Sequence, residues 1–193
     1  MSPKTQMIAS TLLFIMASVV AQADTHLAYI EQVGDNHNAR MIQEGTGLKA
    51  SLYQEGDSSR AQFQQLGDHH TILGLDDGPA LQSGYANWML IDQTGERNQA
   101  FVSQQGLENA MSLTQHGNDN LTAVGQFGNF NTADIQQYGN SNTANLQQTG
   151  NANHTNIIQM GESRLQLSQE GGHHIPEIVQ HASDVIVQQW SAY

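Results

Sequence analysis

A single eleven-residue period constrains this chain more than any other property. Glutamines fall at Gln32, Gln43, Gln54, Gln65, Gln82, Gln93, Gln104, Gln115, Gln126, Gln137, Gln148, Gln159, Gln169 and Gln180, spaced by eleven except for seventeen after Gln65 and ten after Gln159. Two residues after each mark stands a glycine: Gly34, Gly45, Gly56, Gly67, Gly84, Gly95, Gly106, Gly117, Gly128, Gly139, Gly150, Gly161 and Gly171, the rule failing only at Ala182. Five after the mark come Asn87, Asn98, Asn109, Asn120, Asn131, Asn142 and Asn153, with His37, Leu48, Ser59, His70 and Arg164 in that place in outer units. Self-similarity in one phase along the chain signals stacked repeats rather than an ordinary globular domain.

The residues before each glutamine alternate small, aliphatic and Gln, as in Ala39-Met41-Gln43, Ala100-Val102-Gln104 and Ala144-Leu146-Gln148, with mostly polar residues between. A period of two describes a strand with one buried face. The segment after each glutamine, such as Gly139-Asn140-Ser141-Asn142, is turn chemistry. A five-residue strand spans about 17 Å, and the remaining residues cannot turn and retrace that distance unless they too form a strand. One coil therefore takes two units. The expected fold is all-β: a parallel two-sheet β-solenoid (β-helix) of about 22 residues per coil, two strands per coil, stacked as cross-β. The period gives about fifteen strands in seven or eight coils.

Inside such a stack, identical residues lie above one another. Glutamine and asparagine amides can then bond along the axis, which makes a buried Gln tolerable in phase with apolar positions. Two irregularities interrupt the scheme. Leu73 to Pro79 fit no phase and read as a bulged arc of about six extra residues. One residue is missing before Gln169, and Pro176 then takes a small inward position.

The N-terminus follows a different logic. Lys4, an apolar run from Met7 to Val20 and Ala21-Gln22-Ala23 have the order of a secretory signal peptide cleaved after Ala23. Residues 1–23 are thus expected to be removed, leaving 24–193 as the repeat domain of a secreted protein. No later run has the length of a membrane span. The chain has no cysteine, although an exported protein could form disulfides, so its stability must come from backbone pairing and side-chain stacking. Its net charge of −12 argues against nucleic-acid binding, which needs a basic surface.

Other chemistries fit the pattern less well. Asp68-His69-His70 with Asp76 and Asp77, and His173-His174, are the best metal clusters by composition, but their spacing is not that of a ligand set. Calcium-binding nonapeptide repeats share the Gly-Asp and Gly-Asn arcs but have a different period. The acids are scattered over many arcs rather than paired across a cleft, which argues against a glycosidase. No enzyme, cofactor or metal site is expected. Ice binding would need a regular outward threonine array, whereas the outward pairs include Arg40/Ile42, Leu90/Asp92 and Asp134/Gln136.

The first strand begins near Ala28 and the last runs close to Tyr193, with no legible cap at either end. An uncapped stack is an open strand edge, and head-to-tail contacts that do not close make filaments. The pattern Q-x-G-x-x-N-x-A-x-x-x-Q resembles the curlin repeat. Gln93-Gly95-Asn98-Ala100-Gln104, Gln126-Gly128-Asn131-Ala133-Gln137 and Gln137-Gly139-Asn142-Ala144-Gln148 match it in full. The resemblance implies a subunit of curli, the functional amyloid of the Gram-negative biofilm matrix, with roles in adhesion and surface colonisation. It implies a homopolymeric extracellular fibre, a second curlin subunit as partner, and secretion and nucleation machinery at the outer membrane. A monomeric secreted β-solenoid adhesin or ice-binding module is the competing reading. Gln126 to Gln159, with Asp134 as its only acid and no Lys or Arg, is the expected polymerising core.

Overall fold

The computed structural model describes the backbone of residues 16–22, 26–172 and 176–191, and the side chains of 26–172 and 176–191. Ala23, His173 and His174 lie outside the described residues. Strands alternate between two parallel sheets. The front sheet runs β1 (Met16–Gln22), β3 (Asn38–Thr46), β5 (Arg60–Asp68), β8 (Trp88–Glu96), β10 (Ala110–Asn118), β12 (Thr132–Tyr138), β14 (His154–Met160) and β16 (Glu177–His181). The back sheet runs β2 (Leu27–Asp35), β4 (Lys49–Asp57), the interrupted strand β6 (Thr71–Leu73) with β7 (Ala80–Tyr85), and β9 (Gln99–Leu107). It continues through β11 (Leu121–Asn129), β13 (Thr143–Asn151), β15 (Arg164–Gly172) and β17 (Asp184–Trp190). This is the expected solenoid, with about 22 residues per coil and two strands per coil.

The inward face of each strand carries the three phased positions. In β10, Met111, Leu113 and Gln115 are buried, and in β11 so are Thr122, Val124 and Gln126, facing them from the other sheet. Register follows the phase: Gln115 lies beside Gln137 and Gln93, and Gln126 beside Gln104 and Gln148. A one-residue slip would turn the apolar set to solvent and the charged set inward, so the alternation itself fixes the register.

The insertion leaves the sheet in mid-strand rather than at an arc. Ala50 pairs with Ile72 and Leu52 with Ala80, so Gly74 to Pro79 are extruded from the outer face of the back sheet between them. Ile72 fills the small position and Ala80 the aliphatic one, both fully buried. Exchanging the two volumes keeps the layer filled, as close packing demands.

The missing residue before Gln169 shortens the arc after Gly161. Ser163, buried, therefore stands in line with Asn142, and its backbone N–H donates to the Asn142 Oδ1 at 3.2 Å. Arg164, which the uninterrupted count puts in that place, is exposed at the start of β15. Counting from the glutamine cannot see on which side of the position a deletion falls.

Candidate functional site

The glutamines form two continuous columns. In the back sheet the Gln32 Nε2 donates to the Gln54 Oε1 at 2.6 Å, and the chain of donations continues through Gln82, Gln104, Gln126, Gln148 and Gln169 to Gln189. In the front sheet Gln43 donates to Gln65, and so on through Gln93, Gln115, Gln137 and Gln159 to Gln180. Each donor serves the glutamine one coil nearer the C-terminus, without a reversal. The same amides also donate to backbone carbonyls at the start of a strand in the opposite sheet, as Gln115 does to Gln99 at 3.0 Å and Gln126 to Ala110 at 3.0 Å. A fully buried amide is thereby satisfied, and the two sheets are tied across the core.

Three members of this network were hidden from the repeat count. Gln189 completes the back column twenty residues after Gln169, because the last coil is short. Thr122 and Thr155 take the small inward position and each bonds across the core to two successive glutamines of the opposite sheet's column. Thr122 Oγ1 donates to the Gln137 Oε1 at 2.9 Å and Thr155 Oγ1 to the Gln169 Oε1 at 2.6 Å. Threonine in place of alanine opposite a glutamine column was the available signal.

The asparagines work chiefly on the backbone. Asn98 Nδ2 donates to the Thr94 carbonyl at 3.1 Å within its own arc and to the Gly117 carbonyl of the next coil at 2.8 Å, while its Oδ1 accepts the Asn120 N–H at 3.0 Å. Asn87, Asn109, Asn120, Asn131 and Asn142 repeat this clamp with small variations, while Asn153 makes its amide donations but leaves its buried Oδ1 without a partner. The arc group at this position thus holds the chain's turn and stacks one turn on the next.

Histidine substitutes for asparagine with the same geometry. His70 Nδ1 accepts the Asn98 N–H at 3.1 Å while its Nε2, 3.1 Å from the Leu66 carbonyl, is the donor. His37 stands likewise between the Ser59 N–H and the Val33 carbonyl. Both ring nitrogens of His70 are therefore committed, and among the described residues no group of three or more His, Cys, Asp or Glu converges on a metal position. Burial lowers the His70 pKa, partly opposed by its bond to the Leu66 carbonyl and by Asp68. The neutral ring is the one that fits, since a protonated Nδ1 cannot accept the Asn98 N–H. A depressed folded-state pKa means stability that is present above the unfolded value and lost as pH falls through the folded one. Urea midpoints should accordingly fall between about pH 7 and pH 5, and His70→Asn should shrink that fall. An identical pH dependence in the variant would refute the assignment.

The arc glycines have φ between +76° and +139°, and from Gly34 to Gly150 the residue two further on is left-handed even when it is not glycine, as at Arg97, Glu108 and Phe130. Gly34, Gly45, Gly56, Gly67, Gly84, Gly95, Gly106, Gly117, Gly128, Gly139, Gly150, Gly161 and Gly171 thus all stand at the turn positions the period assigned.

The two ends of the stack differ. At the N-terminal end the Gln32 Oε1 and Gln43 Oε1 are buried and have no hydrogen-bond partner. At the C-terminal end the Gln180 Nε2 turns to the Arg164 carbonyl at 3.2 Å and the Ser183 carbonyl at 3.4 Å. β2 and β17 are outer strands of the back sheet, and β16 is outer in the front sheet. No described helix is long and apolar enough to cross a membrane.

Comparison with known families returns the curlin associated repeat twice, over residues 89–117 and 117–150, which span β8 to β13. Neither the curated proteins nor the solved structures gave a match. The matched segments carry the unbroken run of glutamine, glycine and asparagine positions whose bonds hold the centre of the solenoid, and over these residues the chain matches the curlin associated repeat.

Proposed function

We propose that the protein is a structural subunit of an extracellular curli-type amyloid fibre, exported with loss of residues 1–23 and assembling end to end at the cell surface of a Gram-negative bacterium. The observation that carries this reading is the pair of orphaned acceptors at the N-terminal end of the columns, Gln32 Oε1 on the outer strand β2 and Gln43 Oε1 on β3. A buried acceptor without a donor costs about 1–3 kcal/mol, and the same column in another copy ends in amide donors able to relieve it. The backbone of β1 bears on the same point. It pairs with β3 with Ala21 opposite Gln43, so it covers the front-sheet edge while bringing no amide to the column. Cleavage after Ala23 uncovers that edge when the protein is exported.

Fibre assembly suits biofilm matrix, adhesion and surface colonisation, with a second curlin subunit and the outer-membrane secretion and nucleation machinery as partners. Purified protein beginning at Asp24 should bind an amyloid dye and form filaments visible by electron microscopy, with preformed fragments abolishing the lag. A monomer that stays soluble through seeded incubation would instead support a monomeric adhesin or ice-binding module.

A further inference from the structure

The strands from β2 to β17, with β6 and β7 sharing one position, make fifteen half-coils. The number is odd, so the stack begins and ends in the same sheet: β2 opens the back sheet and β17 closes it. The next vacant position along the chain path is therefore in the front sheet, on β16. The first strand of an incoming copy, however, belongs to its own back sheet. Resting on the assembly reading above, we infer that successive copies in the fibre are related by a half-turn about its axis, with β2 of the incoming copy on β16 and its β3 on β17.

The alternative, stacking without rotation, sets the incoming β2 on β17. It then leaves one empty strand position between β16 and the incoming β3. Two outward contacts favour that arrangement, since the exposed Ile186 and Trp190 would meet Tyr29 and Val33 of the incoming copy. Cross-strand pairs of this kind are individually small. Against them stand the backbone groups of two whole strands left without a ladder partner inside the fibre, and the Gln43 Oε1 still orphaned. The half-turn fills each position. Gln180 then meets the incoming Gln32 and Gln189 the incoming Gln43, so both unpaired acceptors face an amide donor.

The half-turn works because neighbouring units share one phase, so a back-sheet strand can sit on a front-sheet strand with Gln, aliphatic and small positions aligned. It also makes β1 decisive. With β1 retained the half-coils number sixteen, β1 of the incoming copy falls on β16, and the copies stack without rotation. Removal of residues 1–23 changes the symmetry of the fibre as well as uncovering an edge. Each copy advances about 36 Å, and the Gly74 to Pro79 loop alternates between opposite faces.

The chain has no cysteine, so introduced pairs report contacts cleanly. In fibres of the chain from Asp24, Ile186→Cys with Arg40→Cys should oxidise to covalent multimers, as should Gln188→Cys with Ile42→Cys. Ile186→Cys with Tyr29→Cys, and Gln188→Cys with Glu31→Cys, should stay at the level of the single cysteines. In the uncleaved chain the preference should reverse. All six positions face outward or are partly exposed, and two independent pairs guard against one variant failing to assemble. Multimers from the second set in processed fibres, or from neither set, overturn the half-turn. Absence of fibres from the unsubstituted protein is a different result, and it overturns the assembly reading itself.

Discussion

Replacing Gly106 by alanine should abolish or severely weaken the fold, whereas the same change at Gly161 should be mild. A Cβ on Gly106 would lie far inside contact distance of the Gly128 carbonyl oxygen one coil on, and the φ of +122° is one that side chains rarely adopt. The atom in the way is backbone held by ladder bonds on both sides, so neither partner can move without opening a rung. Strain and clash together put the loss on the order of 3 kcal/mol or more. Gly161 sits where the arc is one residue shorter: nothing lies within 4 Å of an added Cβ, and φ is +76°. There the expected cost is about 1 kcal/mol, that of a lone left-handed alanine. Urea unfolding of the two variants checks the contrast. Equal losses would mean that the glycines serve only the turn and not the close approach of coils.

The second large effect concerns the columns. Gln137 accepts from the Gln115 Nε2 at 2.9 Å and the Thr122 Oγ1 at 2.9 Å, and it donates to Gln159 at 2.8 Å and to the Leu121 carbonyl at 3.1 Å. Gln148 accepts from the Gln126 Nε2 and donates to Gln169, to the Thr155 Oγ1 and to the Thr132 carbonyl. Truncating both to alanine strands several buried donors and acceptors, each worth about 1–3 kcal/mol, and opens a void as well. A combined loss on the order of 5 kcal/mol is expected, with assembly slowed or prevented. Asp134→Ala with Asn145→Ala, on the outward faces of neighbouring strands, should stay within about 0.5 kcal/mol. Comparable slowing in both double variants would show that the columns do not carry the stack.

The architecture was legible because the repeat carries redundant information. Alternation gave the strands, the glycines gave the arcs, and the span of a five-residue strand forced two units per coil. What stayed hidden depends on neighbours one coil away, which a linear reading does not place. Turn chemistry explains why Gly106 suits an arc, but only stacking shows that its missing side chain makes room for the Gly128 carbonyl. His37 and His70 read as departures from asparagine, yet their two ring nitrogens reproduce its acceptor and donor. The insertion reads as an arc because arcs tolerate extra residues, and the exchange of Ile72 with Ala80 is visible only once both are set beside Ala50 and Leu52. Arg164 and Gln189 were misplaced or missed for one reason: the coils near the C-terminus are short, and a fixed count drifts there.

The uniform direction of the glutamine donations has a consequence for anything built from this unit. Side-chain amides aligned head to tail are oriented dipoles, and their interior partial charges cancel in pairs, leaving a residual charge only where a column stops. The Gln32 and Gln43 tip is the negative pole and the Gln180 and Gln189 tip the positive one. A fibre propagating these columns is electrically polar along its length, as a crystal without a centre of symmetry is. Its two tips meet an incoming acidic chain with opposite partial charge, so growth is intrinsically unequal at the two.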